Sequence, residues 1–108
     1  MQKLVENFMG ATNAFDMEGT LALFAQNAVI DDVSVGDAFV GKGGVRTYLE
    51  RFFVGYNTAS KLISVKELDS FNATVRLDFT GDFGHEVGIL AIAVNPDGLI
   101  ARIDADLE

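Results

Sequence analysis

Two observations predict an α+β fold: helical periodicity in the first half of the chain and strand alternation in the second. Three segments of the first half carry apolar residues at intervals of three and four. After about residue 60, apolar residues alternate with polar ones or form short apolar runs. Helices followed by consecutive long strands are typical of an antiparallel sheet packed on helices, here in a single domain spanning 1–108.

Three helices are expected, at about 3–14, 16–25 and 42–55, each with one apolar face. The apolar positions are Leu4, Val5, Phe8, Met9 and Thr12 in the first, Leu21, Leu23 and Phe24 in the second, and Val45, Tyr48, Leu49, Phe52 and Phe53 in the third. Asp16 is a typical N-cap for the second helix.

The predicted strands run from the middle of the chain to its end. Ala28-Val29-Ile30 is a short apolar strand, followed by a hairpin turn at Gly36-Asp37. Longer strands are expected at 60–69, 72–83, 87–94 and 99–107. The only proline lies in Asn95-Pro96-Asp97-Gly98, which marks the turn between the last two strands.

Two adjacent carboxylates, Asp31 and Asp32, follow the first predicted strand. Neighbouring strand side chains point to opposite faces, so one carboxylate faces the interior and the other faces water. We expect Asp32 inside and Asp31 outside. Burying a carboxylate beside an apolar strand costs free energy unless the group is paired, protonated or retained for function. Asp32 is therefore a candidate functional residue.

The composition argues against several classes of protein. The chain has 16 acidic residues against 8 basic ones, a net charge of −8, so nucleic acids and anionic membranes are not expected as partners. There is no cysteine and only one histidine, so neither disulfides nor a metal site is expected. No apolar run is long enough for a signal peptide or a membrane span, and we expect a soluble, cytoplasmic protein.

The strand at 87–94 differs from the others because it is apolar on both faces. Three helices can cover only one face of a sheet, so the outer face of this strand needs a second cover. A second copy of the chain laid against that face would supply it. We therefore expect a homodimer formed through the outer face of the sheet.

Several residues at fixed places in this order of elements resemble a known family. They are Asn13 and Asp16, Leu23-Phe24-Ala25, Asp31-Asp32, Phe39-Val40-Gly41, Val45-Arg46 and Gly98-Leu99-Ile100. With them the chain resembles the nuclear transport factor 2-like superfamily, and within it the SnoaL-like polyketide cyclase and ketosteroid isomerase group. The resemblance implies a cystatin-like fold: a curved antiparallel sheet wrapped on three N-terminal helices around an apolar cavity. It specifies the reaction poorly, because this fold hosts many activities.

The resemblance also implies a role for Asp32. Its position matches the general base of the ketosteroid isomerases, a carboxylate that moves a proton beside a ketone. Two hydrogen-bond donors of those enzymes are absent, because their tyrosine falls at Phe8 and their protonated aspartate falls near Leu90. Such donors stabilise the enolate oxygen, so the chain departs from an authentic steroid isomerase.

The other candidates for the cavity are mostly aromatic. The residues expected to line it and bind the ligand are Phe8, Phe15, Phe52, Phe53 and Leu90. Tyr48 and Tyr56 are the only phenols; either can replace a missing donor, or pack with its hydroxyl at the rim. For Asp32 the alternative to a catalytic role is a strand-end carboxylate bonded to nearby backbone N–H groups.

A second pattern resembles the epoxide hydrolases of the same superfamily, which use an Arg-x-Asp and an Asp on the last strand. Arg76-Leu77-Asp78 has that spacing, and Asp104 lies beside the expected position of the last carboxylate. The regular alternation instead favours Arg76, Asp78 and Asp104 as cross-strand ion pairs on the outside of the sheet.

Two further motifs have simpler interpretations. His85, in Gly84-His85-Glu86, is expected in a turn and exposed to solvent, although a histidine can act as a proton donor or acceptor near neutral pH. Gly41-Lys42-Gly43-Gly44 lacks the spacing of a phosphate-binding loop and is better explained as the start of the third helix.

We expect a protein that binds a small apolar molecule without a cofactor. One hypothesis is an isomerase, cyclase or lyase that acts on an apolar carbonyl compound, with Asp32 as proton shuttle. The alternative is a non-catalytic module for ligand binding or dimerisation, suggested by Phe8 and Leu90 where donors should be. The third is an epoxide hydrolase-like enzyme that uses Arg76, Asp78 and Asp104.

Overall fold

The computed structural model describes residues 1–108 as three helices and six strands. The helices are α1 (Gln2–Asn13), α2 (Met17–Leu21) and α3 (Gly41–Leu49), and α3 runs directly into a π-helical turn, Glu50–Val54. The strands are β1 (Phe24–Asp32), β2 (Asp37–Val40), β3 (Ala59–Asp69), β4 (Asn72–Gly81), β5 (Gly84–Val94) and β6 (Ile100–Leu107). The predicted α+β fold is confirmed; the β1–β2 hairpin lies between α2 and α3, and the other four strands follow the helices.

All six strands form one sheet, in the order β2-β1-β6-β5-β4-β3. Strands β3 to β6 are joined in sequence as antiparallel neighbours, as the alternation predicts. The β1–β6 pair is parallel, which the prediction of an antiparallel sheet did not include. These two strands are not linked by a hairpin, so no turn fixes their relative direction.

The helices cover the inner face of the sheet and form the core with it. Helix α1 buries Val5, Phe8, Met9 and Thr12, which lie three and four residues apart on one side. The end of α1 is fixed to β3 by Asn13, whose side-chain amide donates to the Ser60 carbonyl (2.9 Å) and accepts from its N–H (2.7 Å).

Helix α2 is shorter than predicted and β1 begins earlier. Asp16 caps α2 as expected, and its carboxylate accepts a hydrogen bond from the Gly19 N–H at 2.9 Å. The predicted extension to residue 25 is wrong, because Phe24 and Ala25 are buried in β1. The Ile100 N–H donates to the Leu23 carbonyl at 2.8 Å, which attaches the chain to β6 at this point. A short apolar run is compatible with a helix or with a strand, and only the neighbouring strand to which it bonds decides between the two.

The turns are placed partly as predicted. The hairpin between β1 and β2 exists, with Asp32 paired to Asp37 and with Gly36 at a φ of 71° before the second strand. The prediction that His85 lies in a turn is wrong, because His85 is in β5 opposite Thr80. The actual turn is Asp82-Phe83, and Gly84 adopts the positive φ (104°) that begins the next strand.

The outer face of the sheet has an apolar stripe along β5. Its residues are Val87, Ile89, Ala91 and Ala93, which alternate with the inward-facing Gly88, Leu90 and Ile92. The stripe is half-buried at most, and no helix of the chain covers it. None of the helices is both long and apolar enough to span a membrane.

Candidate functional site

A pocket of about 290 Å³ lies between the inner face of the sheet and α3 with its π-helical turn. Thirteen of its 18 lining residues are hydrophobic, and they come from α1, β1, α3, β4, β5, β6, the segment after α3 and the β1–β2 and β4–β5 turns. Ligand pockets of small molecules are typically ~300–1,000 Å³, so this one is suited to a small ligand.

Asp32 lies in this pocket at the end of β1, and only 6% of its surface is exposed. The pleat of β1 directs it to the same face as Ile30, whereas Asp31 points outward to Arg102. One carboxylate oxygen, Oδ1, accepts hydrogen bonds from the Ser34 N–H (2.9 Å) and hydroxyl (2.5 Å). The other, Oδ2, accepts one from the Tyr48 hydroxyl at 2.6 Å.

Tyr48 is the partner that α3 brings to Asp32. Its ring is buried against Phe39, Phe52 and Phe53, at centroid distances of 5.1, 5.0 and 6.3 Å. Burial, followed by the hydrogen bond and the negative charge of Asp32, raises the pKa of Tyr48 above its ordinary value of 10.0. The phenol therefore stays neutral and remains a hydrogen-bond donor throughout the neutral range.

The hydrogen bonds at Asp32 decide which chemistry the pocket can support. Three donors hold the carboxylate in one orientation, which a general base requires. The single proton of the Tyr48 hydroxyl is already donated to Asp32, so Tyr48 does not simultaneously donate to a ligand. Phe8 and Leu90 also line the pocket and carry no hydrogen-bond donor on their side chains.

The π-helical turn after α3 supplies much of the aromatic wall. It contains both Phe52 and Phe53, consecutive residues that line the pocket. A π-turn inserts an extra residue into a helix and is frequent at functional sites. Beyond it, Tyr56 lies at the mouth with 44% of its surface exposed, and its ring is 6.0 Å from that of Phe83 on the β4–β5 hairpin.

Phe15 is not a wall of this pocket, contrary to the sequence prediction. It sits between α1 and α2 with a φ of 55°, and 45% of its surface is exposed. It lines a separate small pocket between α1, α2 and the π-helical turn. The other predicted wall residues, Phe8, Phe52, Phe53 and Leu90, all line the main pocket.

The epoxide hydrolase-like trio is not assembled. The structure places Arg76 on the outer face, paired with Glu108 at 2.5 Å, and none of the three residues lines the pocket. Asp78 lies 2.6 Å from the His85 imidazole, and Asp104 pairs with Arg102 at 2.9 Å. Strand alternation turns all three away from the pocket, but Asp104 pairs within β6 and not across strands as the ion-pair interpretation predicts. We therefore do not retain the epoxide hydrolase-like alternative.

Sequence reasoning missed several residues that contact the pocket. Ser34 lies in the β1–β2 turn, and its bond to Asp32 depends on a turn conformation that no periodicity reveals. Glu86 was assigned to a turn, but it lies in β5 opposite Phe79 and lines the pocket. No three potential metal ligands lie close enough together to hold an ion.

Solved structures with this fold show which class of protein the chain resembles. A protein described as a candidate ketosteroid isomerase from Kribbella flavida aligns with a TM-score of 0.86 and 17% identity, covering 98% of this chain and 76% of that one. A Mycobacterium tuberculosis protein in complex with estradiol-17beta-hemisuccinate aligns with a TM-score of 0.85 and 21% identity, covering 96% and 90%.

The same fold occurs in a nuclear transport factor 2-like protein of unknown function from Cytophaga hutchinsonii. Its TM-score is 0.83 at 11% identity, with 99% of this chain and 88% of that one covered. The fold is thus nuclear transport factor 2-like. Residues 5–103 match the model of the SnoaL-like domain, and the chain belongs to that family. No curated protein sequence matches it.

Proposed function

We propose that the pocket binds a small apolar carbonyl compound and that Asp32 acts on it as a general base. The reaction would be a cofactor-independent isomerisation, cyclisation or elimination that starts with removal of a proton beside the carbonyl. The observation that carries the proposal is Asp32 itself, a buried carboxylate on the wall of a mainly apolar pocket.

The contacts around Asp32 support this role. Tyr48 and Ser34 hold both carboxylate oxygens, so the base is oriented before a ligand arrives. The K. flavida and M. tuberculosis structures provide further support, since one is described as a candidate ketosteroid isomerase and the other holds a steroid derivative. A pocket of about 290 Å³ lies at the lower end of the range for small-molecule sites, which favours a ligand of one or two rings.

A second candidate function is ligand binding without catalysis. It is favoured by Phe8 and Leu90 on the pocket wall and by the commitment of the Tyr48 proton to Asp32. An enolate would then form without a strong donor for its oxygen, and one such donor can be worth ~10²–10³ in rate.

The two candidates can be separated with 2-tetralone, a bicyclic ketone whose C–H bonds beside the carbonyl are acidic. In D₂O, Asp32 removes a proton to give an enolate and a protonated carboxyl. The carboxyl proton exchanges with the solvent, and the carboxyl then returns a deuteron to the enolate carbon, which labels the ketone and regenerates the carboxylate. Proton NMR then measures the exchange rate. If Asp32 is the base, Asp32→Asn lowers the protein-dependent rate by about a hundredfold or more.

Asp31→Asn is the matched control. It removes the same charge from the adjacent residue, on the opposite face of β1, where Asp31 contacts Arg102. Its exchange rate should equal that of the wild type. Saturable binding of 2-tetralone without faster exchange would support the non-catalytic module, and absence of binding would contradict both candidates.

We also propose that the protein forms a homodimer through the outer face of the sheet. The apolar stripe on β5 lies at the centre of that face, flanked on β4 and β6 by charged residues such as Arg76, Asp104 and Asp106. An apolar centre within a charged rim is typical of a protein interface.

A further inference from the structure

The charged residues of the pocket all have the same sign. Among its 18 lining residues are three acidic ones, Asp32, Glu86 and Asp106, and no lysine, arginine or histidine. The alternation of β6 directs the side chain of Asp106 to the outer face, opposite Ile89. Asp32 and Glu86 are therefore the carboxylates that face the ligand space.

The two carboxylates differ in the number of hydrogen bonds and ion pairs that they make within the protein. Asp32 is buried and already accepts hydrogen bonds from Ser34 and Tyr48. Glu86 shares its face with Leu90, four residues further along β5, and is exposed at the mouth. It makes no ion pair, and no side-chain hydrogen bond involves it. Glu86 is thus the carboxylate that is free to pair with a ligand.

The rest of the pocket wall also favours a positive charge. Its seven aromatic residues are Phe8, Tyr48, Phe52, Phe53, Tyr56, Phe79 and Phe83. Aromatic rings attract ammonium groups, and two of these residues, Tyr56 and Phe83, are exposed at the mouth, where an ammonium group would lie. The net charge of −8 acts in the same direction, since a negative field lowers the local concentration of anions.

We propose that the ligand is an apolar molecule that carries an ammonium group, and that the pocket rejects carboxylate ligands. The apolar body fills the aromatic interior beside Asp32, and the ammonium group pairs with Glu86 at the mouth. This inference rests on the proposed function, in which the same pocket holds the ligand.

Three naphthalene derivatives of similar shape test the proposal: 2-naphthylmethylammonium, 2-naphthylmethanol and 2-naphthoate. Their dissociation constants are measured by calorimetry at neutral pH and low salt. The ammonium compound should bind about tenfold more tightly than the carboxylate, with the alcohol between them. Raising the salt concentration should reduce this ratio.

Glu86→Gln should reduce the preference for the ammonium over the alcohol by about threefold to fivefold, the range of a partly exposed ion pair. Asp97→Asn is the matched control, because it removes the same charge at the exposed β5–β6 turn outside the pocket. It should leave both dissociation constants unchanged.

Each outcome distinguishes this inference from the proposed function. Binding of the alcohol together with equal or tighter binding of the carboxylate would overturn the inference and leave the apolar pocket intact. An unchanged preference in Glu86→Gln would overturn the assignment of Glu86. If none of the three compounds binds, the proposed ligand-binding function fails as well.

Discussion

Asp32 is a carboxylate in an environment that is otherwise apolar. Its two oxygens accept hydrogen bonds from the Ser34 N–H and hydroxyl and from the Tyr48 hydroxyl. Those bonds also fix the direction in which the carboxylate points, and Tyr48 is itself held by the rings of Phe39 and Phe52. The orientation of the base therefore depends on the packing of α3 as much as on β1.

Replacing Tyr48 should lower stability in a pH-dependent way. At about pH 8 we expect Tyr48→Phe to reduce the free energy of unfolding by about 2 kcal/mol, because buried Asp32 loses a donor. The pKa of Tyr48 is raised in the folded state, so the folded protein holds this proton more tightly than the unfolded chain. The resulting stabilisation is fully present below about pH 10 and is lost as the pH rises further, by about 1.4 kcal/mol per unit.

Urea unfolding of the wild type and the variant at about pH 8 and about pH 11 checks this prediction. The difference between the two proteins should narrow at the higher pH by about 1.4 kcal/mol. Tyr56→Phe, at an exposed tyrosine, is the control and should show no such change. A difference that stays constant between the two pH values would contradict the account of Tyr48.

The direction of a single side chain could be predicted from the sequence only where it depends on the geometry of one strand or one helix. The pleat of β1 separates Asp31 from Asp32, and that separation follows from two adjacent positions. The contact of Tyr48 with Asp32 joins residues 16 apart in the sequence and depends on how α3 rests on β1. Periodicity gives the face of each element, not the distance between two faces.

At the scale of elements, long periodic segments were predictable and short apolar runs were not. The alternating strands β4 and β6 were predicted to within two residues, because each has one buried and one polar face. The run Leu21 to Ala25 is compatible with a helix and with a strand. The hydrogen bond from the Ile100 N–H to the Leu23 carbonyl joins the end of this run to β6, and β1 begins there.

The shape of the pocket depends on two features that the sequence pattern does not reveal. The π-turn Glu50–Val54 continues the predicted third helix, but its wider winding sets the directions of Phe52 and Phe53. The shift of the β4–β5 turn to Asp82-Phe83 places Glu86 within β5. Both features depend on local backbone geometry, which is weakly encoded in hydrophobic pattern.

For the whole molecule, the outer face of the sheet gives a prediction about assembly. Ala91 is exposed at the middle of the apolar stripe, so Ala91→Glu would place a charge in the proposed dimer interface at a cost of several kcal/mol. Sedimentation equilibrium at about micromolar concentration should show a dimer for the wild type and a monomer for the variant.

Ala22→Glu is the control for that experiment, because it introduces the same side chain at an exposed position at the end of α2, beside Lys42 and Arg46 and outside the apolar stripe. It should remain dimeric. A wild-type monomer at these concentrations would contradict the dimer, and the pocket of each chain would be unaffected by that result.

The most direct test of the central claim, that the pocket holds a small apolar ligand, is a methyl NMR titration with 2-tetralone. Leu90 and Ile89 are adjacent in β5; Leu90 lines the pocket and Ile89 lies on the outer face. We predict saturable shifts of the Leu90 and Ile103 methyl signals, with no change at Ile89. Absence of saturation up to the solubility limit, or equal shifts at Ile89 and Leu90, would contradict the claim.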